Sequence, residues 1–342
     1  DGKCRDLNLA KSNETVLRLK TPLDGEITVK DFVRGEIVFN NSELDDLIIL
    51  RSNNSPTYHL CNVVDDYEQN VTTVIRGEDH ISNTPRQIHI QKALGYPELE
   101  YAHLPLVLGP DKKRLSKRHA ATSLEEYKDK GYLDSAILNT LARLGWSKGD
   151  EEVFYLEDLI ENFNINEIQK AGAVFDITKL DWLNSQHLAN LSLKEFKACL
   201  EPFLSKINID IEKHQNVDML LNAMRSSENT LSGIAKSLIP YYTEDIPYDN
   251  KAIEKFLSDN HEILEDLEDL FNDLDDWNEN SLDTVLKKYQ KDNDLPVPKV
   301  NQPIRISLTG STKSPSLGLT LEIFGKKSSL DRINSLKKKL AS

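Results

Sequence analysis

Cysteine is scarce: Cys4, Cys61 and Cys199 are the only three in 342 residues. They lie far apart with no paired spacing, which argues against a disulfide framework and fits a reducing compartment. Cys61 and Cys199 read as small buried hydrophobes. Long apolar runs are missing, and the polar start Asp1-Gly2-Lys3-Cys4-Arg5 lacks a signal-peptide pattern, so a soluble protein is expected. Neither an internal repeat nor a low-complexity tract interrupts the chain, which excludes a solenoid. Net positive charge is absent as well, the balance being -14. Between Tyr241 and Asn280, however, fourteen Asp or Glu stand against Lys251 and Lys255 alone, so this segment carries -12 of the total. The remainder is nearly neutral. A local positive face for phosphate is still allowed, because screening confines repulsion to about 8 Å.

Composition and length suit two or three domains. Thr15 to Asp65 reads as strands separated by turn pairs such as Asp24-Gly25: Val16–Leu19, Ile27–Val29, Glu36–Phe39 and Leu47–Leu50. Tyr58 reads there as a sheet aromatic, Asn62 as a turn amide, and Asp65 and Asp66 as a structural turn. Val71–Ile75 is a buried strand that ends in Arg76-Gly77-Glu78-Asp79-His80, and Asn83 or Thr84 with Pro85 starts a helix that Gly95 closes. Leu104–Leu108 is a further buried strand, so this part is half of a parallel α/β sheet whose strand ends converge on one crevice.

Past Tyr132 the chain turns helical. Leu133–Leu144 is an apolar-faced helix closed by Gly145, and Ser192-Leu193-Lys194-Glu195 is a capping box. Leu264, Leu267, Leu270, Phe271, Leu274 and Trp277 form a core stripe at helical spacing. Leu295-Pro296-Val297-Pro298 reads as a stiff connector, and Ser314-Pro315 and Ser328 as openings of the last two helices.

The residues with the strongest chemical signal are Gly109 to His119, which hold Lys112, Lys113, Arg114, Lys117 and Arg118 with Ser116 after a turn-forming Gly-Pro-Asp. Charge content alone fits a solvated surface loop. A basic loop at the end of a buried strand, followed by the helix start Ser123-Leu124-Glu125-Glu126, is also where α/β proteins hold phosphate.

Lys113-Arg114-Leu115-Ser116-Lys117-Arg118 resembles the KMSKS loop of class I aminoacyl-tRNA synthetases in its glutamyl variant. Pro56–Leu60, Asn62–Asp66, Val74–His80, Ser82–Pro85 and Leu308-Thr309-Gly310 resemble the glutamyl-tRNA synthetase family in the same order, so the likeness covers the whole chain. The implied fold is multidomain. A partial α/β part, the second half of a class I Rossmann-type catalytic domain with a remnant of a β-rich acceptor-binding insertion, precedes an all-α anticodon-binding domain. Expected boundaries are 1–57 for the insertion, 58–120 for the catalytic half, 121–192 for a helical stem-contact region and 193–342 for the anticodon-binding domain.

The implied reaction is ATP-dependent activation of L-glutamate to glutamyl-adenylate, then transfer to tRNA(Glu), with ATP-borne Mg2+. By resemblance, Lys117 and Ser116 are catalytic; Arg114, Lys117, Arg118, Glu78, Asp79 and His80 meet ATP; and Tyr58, Asn62 and Arg76 meet glutamate. Lys313, Lys326 and Lys327 are candidates for tRNA phosphate contact. Cys4 falls where some relatives place a zinc-binding cysteine, but the other ligands would have to lie upstream, so zinc is not supported by this chain. The family's HIGH motif does not occur here, and the chain by itself is expected not to make adenylate. A tRNA-binding remnant without catalysis, or an enzyme charging both tRNA(Glu) and tRNA(Gln), are the alternatives. A monomer without membrane contact is expected, in the bacterial cytoplasm or an organelle matrix or stroma.

Overall fold

The computed structural model describes residues 2–5, 7, 10, 12, 14–116, 123–258 and 262–341. Strands β1 (Leu17–Arg18), β2 (Glu26–Asp31), β3 (Gly35–Asn40) and β4 (Ile48–Leu50) lead to helix α1 (Tyr58–Glu68). Then come β5 (Thr73–Gly77), α2 (Thr84–Leu94), β6 (Glu100–Leu104) and β7 (Val107–Leu108). After α3 (Leu124–Lys130), α4 (Asp134–Arg143), α5 (Leu156–Asn162) and β8 (Ala173–Val174), the described chain is helical. Two compact units result, Asp1–Ala120 with Asn139–Asp176, and Ala121–Leu138 with Ile177–Ser342.

The first unit is built on a four-stranded sheet in the order β3-β2-β6-β5. β5 and β6 pair in parallel from Thr73 opposite Glu100 to Gly77 opposite Leu104, as the strand-helix-strand pattern predicts. The β2–β3 hairpin is antiparallel and joins β6 in parallel at Asp31 opposite Tyr101. Its strand β2 alternates exposed and buried residues, so one face carries Ile27 and Val29 into a small core with Ile88 and Tyr101. Helix α2 begins with proline in its first turn and ends at Gly95 in the left-handed conformation, as expected. A second small cluster, Trp146, Phe154 and Leu159, lies under α5.

Two expectations for this unit are corrected. Residues 58–68 are the helix α1, and Asp65 and Asp66 are helical rather than in a turn. Over a short window Tyr-His-Leu-Cys-Asn-Val-Val has strand composition; what makes it helical is a docked face, with Val63 buried and Thr57 Oγ1 donating to the Ile48 carbonyl at 2.9 Å. Leu104–Leu108 is not one strand. Pro105 has no N–H for a ladder, and the Leu106 N–H donates to Glu78 Oε1 at 3.1 Å, so pairing breaks and β7 turns to join β8.

The second unit holds α6 (Ile177–Asn190), α7 (Leu193–Ser205), α8 (Val217–Met224), α9 (Leu231–Tyr242), α10 (Asn250–Leu257), α11 (Ile263–Asn272), α12 (Glu279–Asp292), α13 (Val297–Thr309), α14 (Leu317–Phe324) and α15 (Lys326–Ala341). The capping box of α7 closes in both directions: the Glu195 N–H donates to Ser192 Oγ at 3.2 Å, and the Ser192 N–H donates to Glu195 Oε2 at 2.8 Å. Phe196, Leu200 and Leu204 then pack with Leu220, Leu221, Ile234 and Leu238 into one core. A second core holds Leu264, Leu267 and Phe271 with Leu282, Ile304, Leu321 and Ile333.

The acidic stripe is core, as its spacing implies, but α11 ends at Asn272, and Leu274 and Trp277 reach the same cluster from beyond the helix. Pro296-Val297-Pro298 opens α13 rather than forming a connector, with proline in the first turn, where a missing N–H costs nothing. Ser328 lies inside α15, which starts two residues earlier after Gly325. Gly310 ends α13 with φ +72°, and a Cβ there would collide with the Pro247 carbonyl, so Leu308-Thr309-Gly310 is a helix terminus that requires glycine.

Candidate active site

Parallel pairing sets Arg76 directly beside His103, on the same face of the sheet. Arg76 Nε–H donates to His103 Nε2 at 3.1 Å, and its Nη2 donates to Thr84 Oγ1 at 2.6 Å. The guanidinium carbon lies 6.0 Å from the centre of the Tyr101 ring. Behind it, the side chains of His103 and Asp31 are wholly buried, and His103 Nδ1 meets Asp31 Oδ2 at 2.6 Å. The His103 backbone N–H donates to the same oxygen at 3.0 Å, while Asp31 Oδ1 accepts the N–H groups of Val33 and Arg34 at 3.0 and 2.8 Å.

A guanidinium offers only donors, so Nε2 accepts and the ring proton sits on Nδ1, facing the carboxylate. Burial pushes the His103 pKa down despite the neighbouring carboxylate, and the ring is neutral. The Asp31–His103 contact is therefore a charge-assisted hydrogen bond rather than an ion pair. Burial alone would raise Asp31; hydrogen bonds from the Arg34 backbone, the His103 ring and backbone, and the Val33 backbone outweigh it and hold the carboxyl below its usual range.

Helix α1 brings a second group of residues. Tyr58, Asn62 and Asp66 are spaced four apart and share one helical stripe. Asn62 Oδ1 accepts from Nε2 of the buried Gln87 on α2 at 2.7 Å, and Tyr58 packs edge-on against His59 with ring centres 5.2 Å apart. Both Tyr58 and Asp66 act electrostatically on Arg76, whose own pKa is lowered chiefly by burial. Desolvation raises Asp66, with Arg76 opposing it. Tyr58 and Asp66 thus lie within electrostatic reach of Arg76, and Asn62 stands between them on the same stripe of α1.

The basic loop starts as a tight hairpin. Gly109 N–H donates to the Lys113 carbonyl at 2.7 Å and Leu115 N–H to the Val107 carbonyl at 2.8 Å, with Lys112 at φ +61° and Asp111 Oδ1 accepting the Lys113 N–H at 3.0 Å. Arg114 Nη1 then meets Asp79 Oδ2 at 3.1 Å, which joins the loop to the end of β5. His80 Nδ1 is 3.0 Å from Asn83 Nδ2. Glu78 is engaged on both oxygens, Oε2 with Arg34 and Oε1 with the Leu106 N–H, and so braces the β2–β3 turn against the break between β6 and β7. Ser116 is exposed at the end of the hairpin. Lys117, Arg118 and His119 lie outside the described residues.

Cys4 is exposed and free, and among the described residues no group of three His, Cys, Asp or Glu is arranged to hold a metal. Among them, too, no helix is long and apolar enough to cross a membrane. Lys326 Nζ donates to the carbonyls of Asn272 and Leu274 at 2.9 and 2.8 Å, a cation at the end of α11, and Lys313 lies 3.7 Å from Glu228. Asp31, His103, Gln87 and Arg34 were missed as site residues. The one available signal was a histidine set in an apolar strand, where an unpaired imidazole would be costly.

Arg76 thus stands near the end of a parallel strand of a mixed sheet, and the basic hairpin that follows β7 meets Asp79 just beyond that strand. The profile of class I tRNA synthetase catalytic domains (E and Q) matches residues 4–182, and that of an anticodon-binding domain matches residues 195–337. The chain belongs to the glutamate–tRNA ligase family of class I aminoacyl-tRNA synthetases, with a partial α/β catalytic part followed by an all-α anticodon-binding part. Glutamate–tRNA ligase 2 of Halorhodospira halophila is 41% identical over 338 residues, covering 97% of this chain and 72% of that protein. The glutamate–tRNA ligase of Syntrophotalea carbinolica is 41% identical over 342 residues, covering 99% and 73%. The crystal structure of a glutamate tRNA ligase from Elizabethkingia meningosepticum, in complex with its amino acid, matches with a TM-score of 0.76 at 29% identity, covering 95% of this chain and 68% of that one.

Proposed function

We propose that this chain carries the residues that bind L-glutamate and ATP for formation of glutamyl-adenylate, and that its helical part binds the tRNA(Glu) that accepts the glutamyl group. The observation that carries the reading is Arg76, a cation held by two hydrogen bonds near the end of a parallel strand and within electrostatic reach of Tyr58 and Asp66 on α1. An anionic amino acid requires such a fork. The glutamate carboxylate attacks the α-phosphate of ATP and pyrophosphate leaves; the terminal adenosine hydroxyl of the tRNA then attacks the acyl carbon, the acyl–phosphate bond breaks, and AMP and the hydroxyl proton are released. Little covalent chemistry falls to side chains, so catalysis rests on position and charge. Asp79 and His80 border the adenosine. Arg114, Ser116, Lys117 and Arg118 are assigned to the departing phosphates, with Lys117 as the charge that stabilises them as they leave. Glu78 supports the nucleotide side through its brace on Arg34 and Leu106. Mg2+ enters with the nucleotide phosphates as part of the substrate. The reaction takes place in the compartment where proteins are made, the cytoplasm in bacteria.

The test is ATP–pyrophosphate exchange with tRNA(Glu) present, in a complete enzyme that joins this chain to a HIGH-containing nucleotide-binding half. Arg76→Ala is expected to raise the KM for glutamate by about a hundredfold, the effect of leaving a carboxylate without its charged partner, with the KM for ATP unchanged. Lys117→Ala is expected to lower turnover by about 100- to 1000-fold with little change in glutamate KM. Unchanged glutamate KM in the first variant, or unchanged turnover in the second, overturns the corresponding role.

A further inference from the structure

Two buried groups end on one guanidinium, His103 and Thr84, and a third, Asp31, stands behind His103. Asp31 closes β2, His103 is on β6 and Thr84 opens α2, and none of the three is a residue that a substrate can reach, since their side chains are buried. The chain has a fixed direction. Asp31 accepts the proton of Nδ1, which leaves Nε2 as an acceptor for Arg76 Nε–H, and Thr84 Oγ1 takes Nη2. These two bonds hold the Nε and Nη2 corners of the planar fork, and with them the plane in which Nη1 lies. Thr84 Oγ1 also lies 3.1 Å from Nε2; reversing the tautomer would aim Nε2–H at that oxygen, set it against Arg76 Nε–H, donor against donor, and leave Nδ1 facing the Asp31 carboxylate without a proton, so the bond from Arg76 to the ring is lost.

We propose that Asp31 and His103 are positioning residues that fix the tautomer of one imidazole and thereby orient the Arg76 guanidinium for the substrate carboxylate. The proposal rests on the reading of Arg76 as the glutamate-binding cation. Neither residue touches substrate; each acts through Arg76. A guanidinium on a flexible stem loses rotamer freedom when it binds, and an arginine locked in advance loses less at that moment. His103, being neutral, orients Arg76 without adding a second positive charge that would repel it.

Two measurements separate this proposal from the reading beneath it. In a 15N spectrum of the histidine rings of the intact protein, His103 is expected as a neutral ring protonated on Nδ1, with Nε2 as acceptor, and Asp31→Asn is expected to shift it toward Nε2–H. A ring protonated on Nε2 in the unaltered protein overturns the positioning device whatever Arg76 binds. In exchange kinetics of the complete enzyme, with this chain joined to a HIGH-containing half, His103→Leu is expected to raise the glutamate KM by about tenfold or more, the usual scale for partners that orient a binding group, with the ATP KM unchanged. His103→Gln, whose amide oxygen can still accept from Arg76 Nε–H, is expected to recover most of that loss. Equal glutamate KM in the Leu and Gln variants overturns the proposal, because a purely packing role would not distinguish an acceptor. Should Asp31→Asn fail to fold, since it also accepts three backbone N–H groups, the His103 pair still decides. If Arg76→Ala leaves glutamate KM unchanged, the substrate reading fails, while the ring spectrum still judges the hydrogen-bond chain.

Discussion

The sheet unit sets Asp31 and His103, wholly buried, directly beside its small apolar cluster of Ile27, Val29, Ile88 and Tyr101. The helical unit is built the other way, with two extended cores of leucine, isoleucine and phenylalanine. A half-buried arginine there, Arg332, serves backbone termini, donating to the carbonyls of Leu308, Pro240 and Thr243 at 2.9, 2.7 and 2.7 Å. In one unit, then, buried polar groups hold the Arg76 guanidinium; in the other a half-buried arginine closes helix ends. A unit of the first kind gives up apolar area and packing for a defined hydrogen-bond direction.

The sharpest way to test this difference is to damage a core. Phe271 is fully buried, with Trp277 edge-on at a ring distance of 5.5 Å. Phe271→Ala is expected to cost the helical unit about 3–5 kcal/mol. The denaturation midpoint followed at Trp277 should fall, while that of Trp146 in the sheet unit stays in place. By contrast, Ile27→Val in the small cluster is expected to cost about 1 kcal/mol, seen at Trp146 alone.

A smaller loss than that at Phe271 is expected at the end of α13. Gly310→Ala places a side chain at φ +72° and against the Pro247 carbonyl, costing at least about 2 kcal/mol, measured by urea unfolding. Smaller again is Ser192→Ala, which removes one arm of the α7 capping box and should cost about 1 kcal/mol.

The last prediction concerns pH. His103 has a folded pKa below its unfolded value, so the unfolded chain binds the extra proton first. Its contribution is present above the unfolded value and is lost as pH falls below about 6.5. His187 and His214 are held down by burial in the helical unit, so both units should weaken on acidification. His103→Gln should flatten the pH dependence of the Trp146 transition only. An unaltered slope there would break the comparison.

Much of the architecture was legible locally. Ser192 with Glu195, Gly95 after α2, and the β-branched Val71–Ile75 are signals whose physics acts within a few residues. Failures occurred where a distant partner decides. Residues 58–68 became a helix because Val63 found a buried place and Asn62 found Gln87. Leu104–Leu108 split because Glu78 captured the Leu106 N–H. The candidate site divides the same way: Arg76, Tyr58, Asn62 and the basic loop were visible as residue types in order, whereas Asp31, 72 positions from His103 in the sequence, was not.

What the sequence determined by itself was the family, through ordered motifs, and the local punctuation of helices and strands, since caps, glycines and β-branched runs act through neighbouring backbone. What only the tertiary structure decided was direction. Parallel register sets His103 beside Arg76, the end of β2 sets Asp31 behind His103, and the position of one proton follows from that order. No local preference specifies it, because each of those hydrogen bonds joins residues that meet only after the sheet has formed.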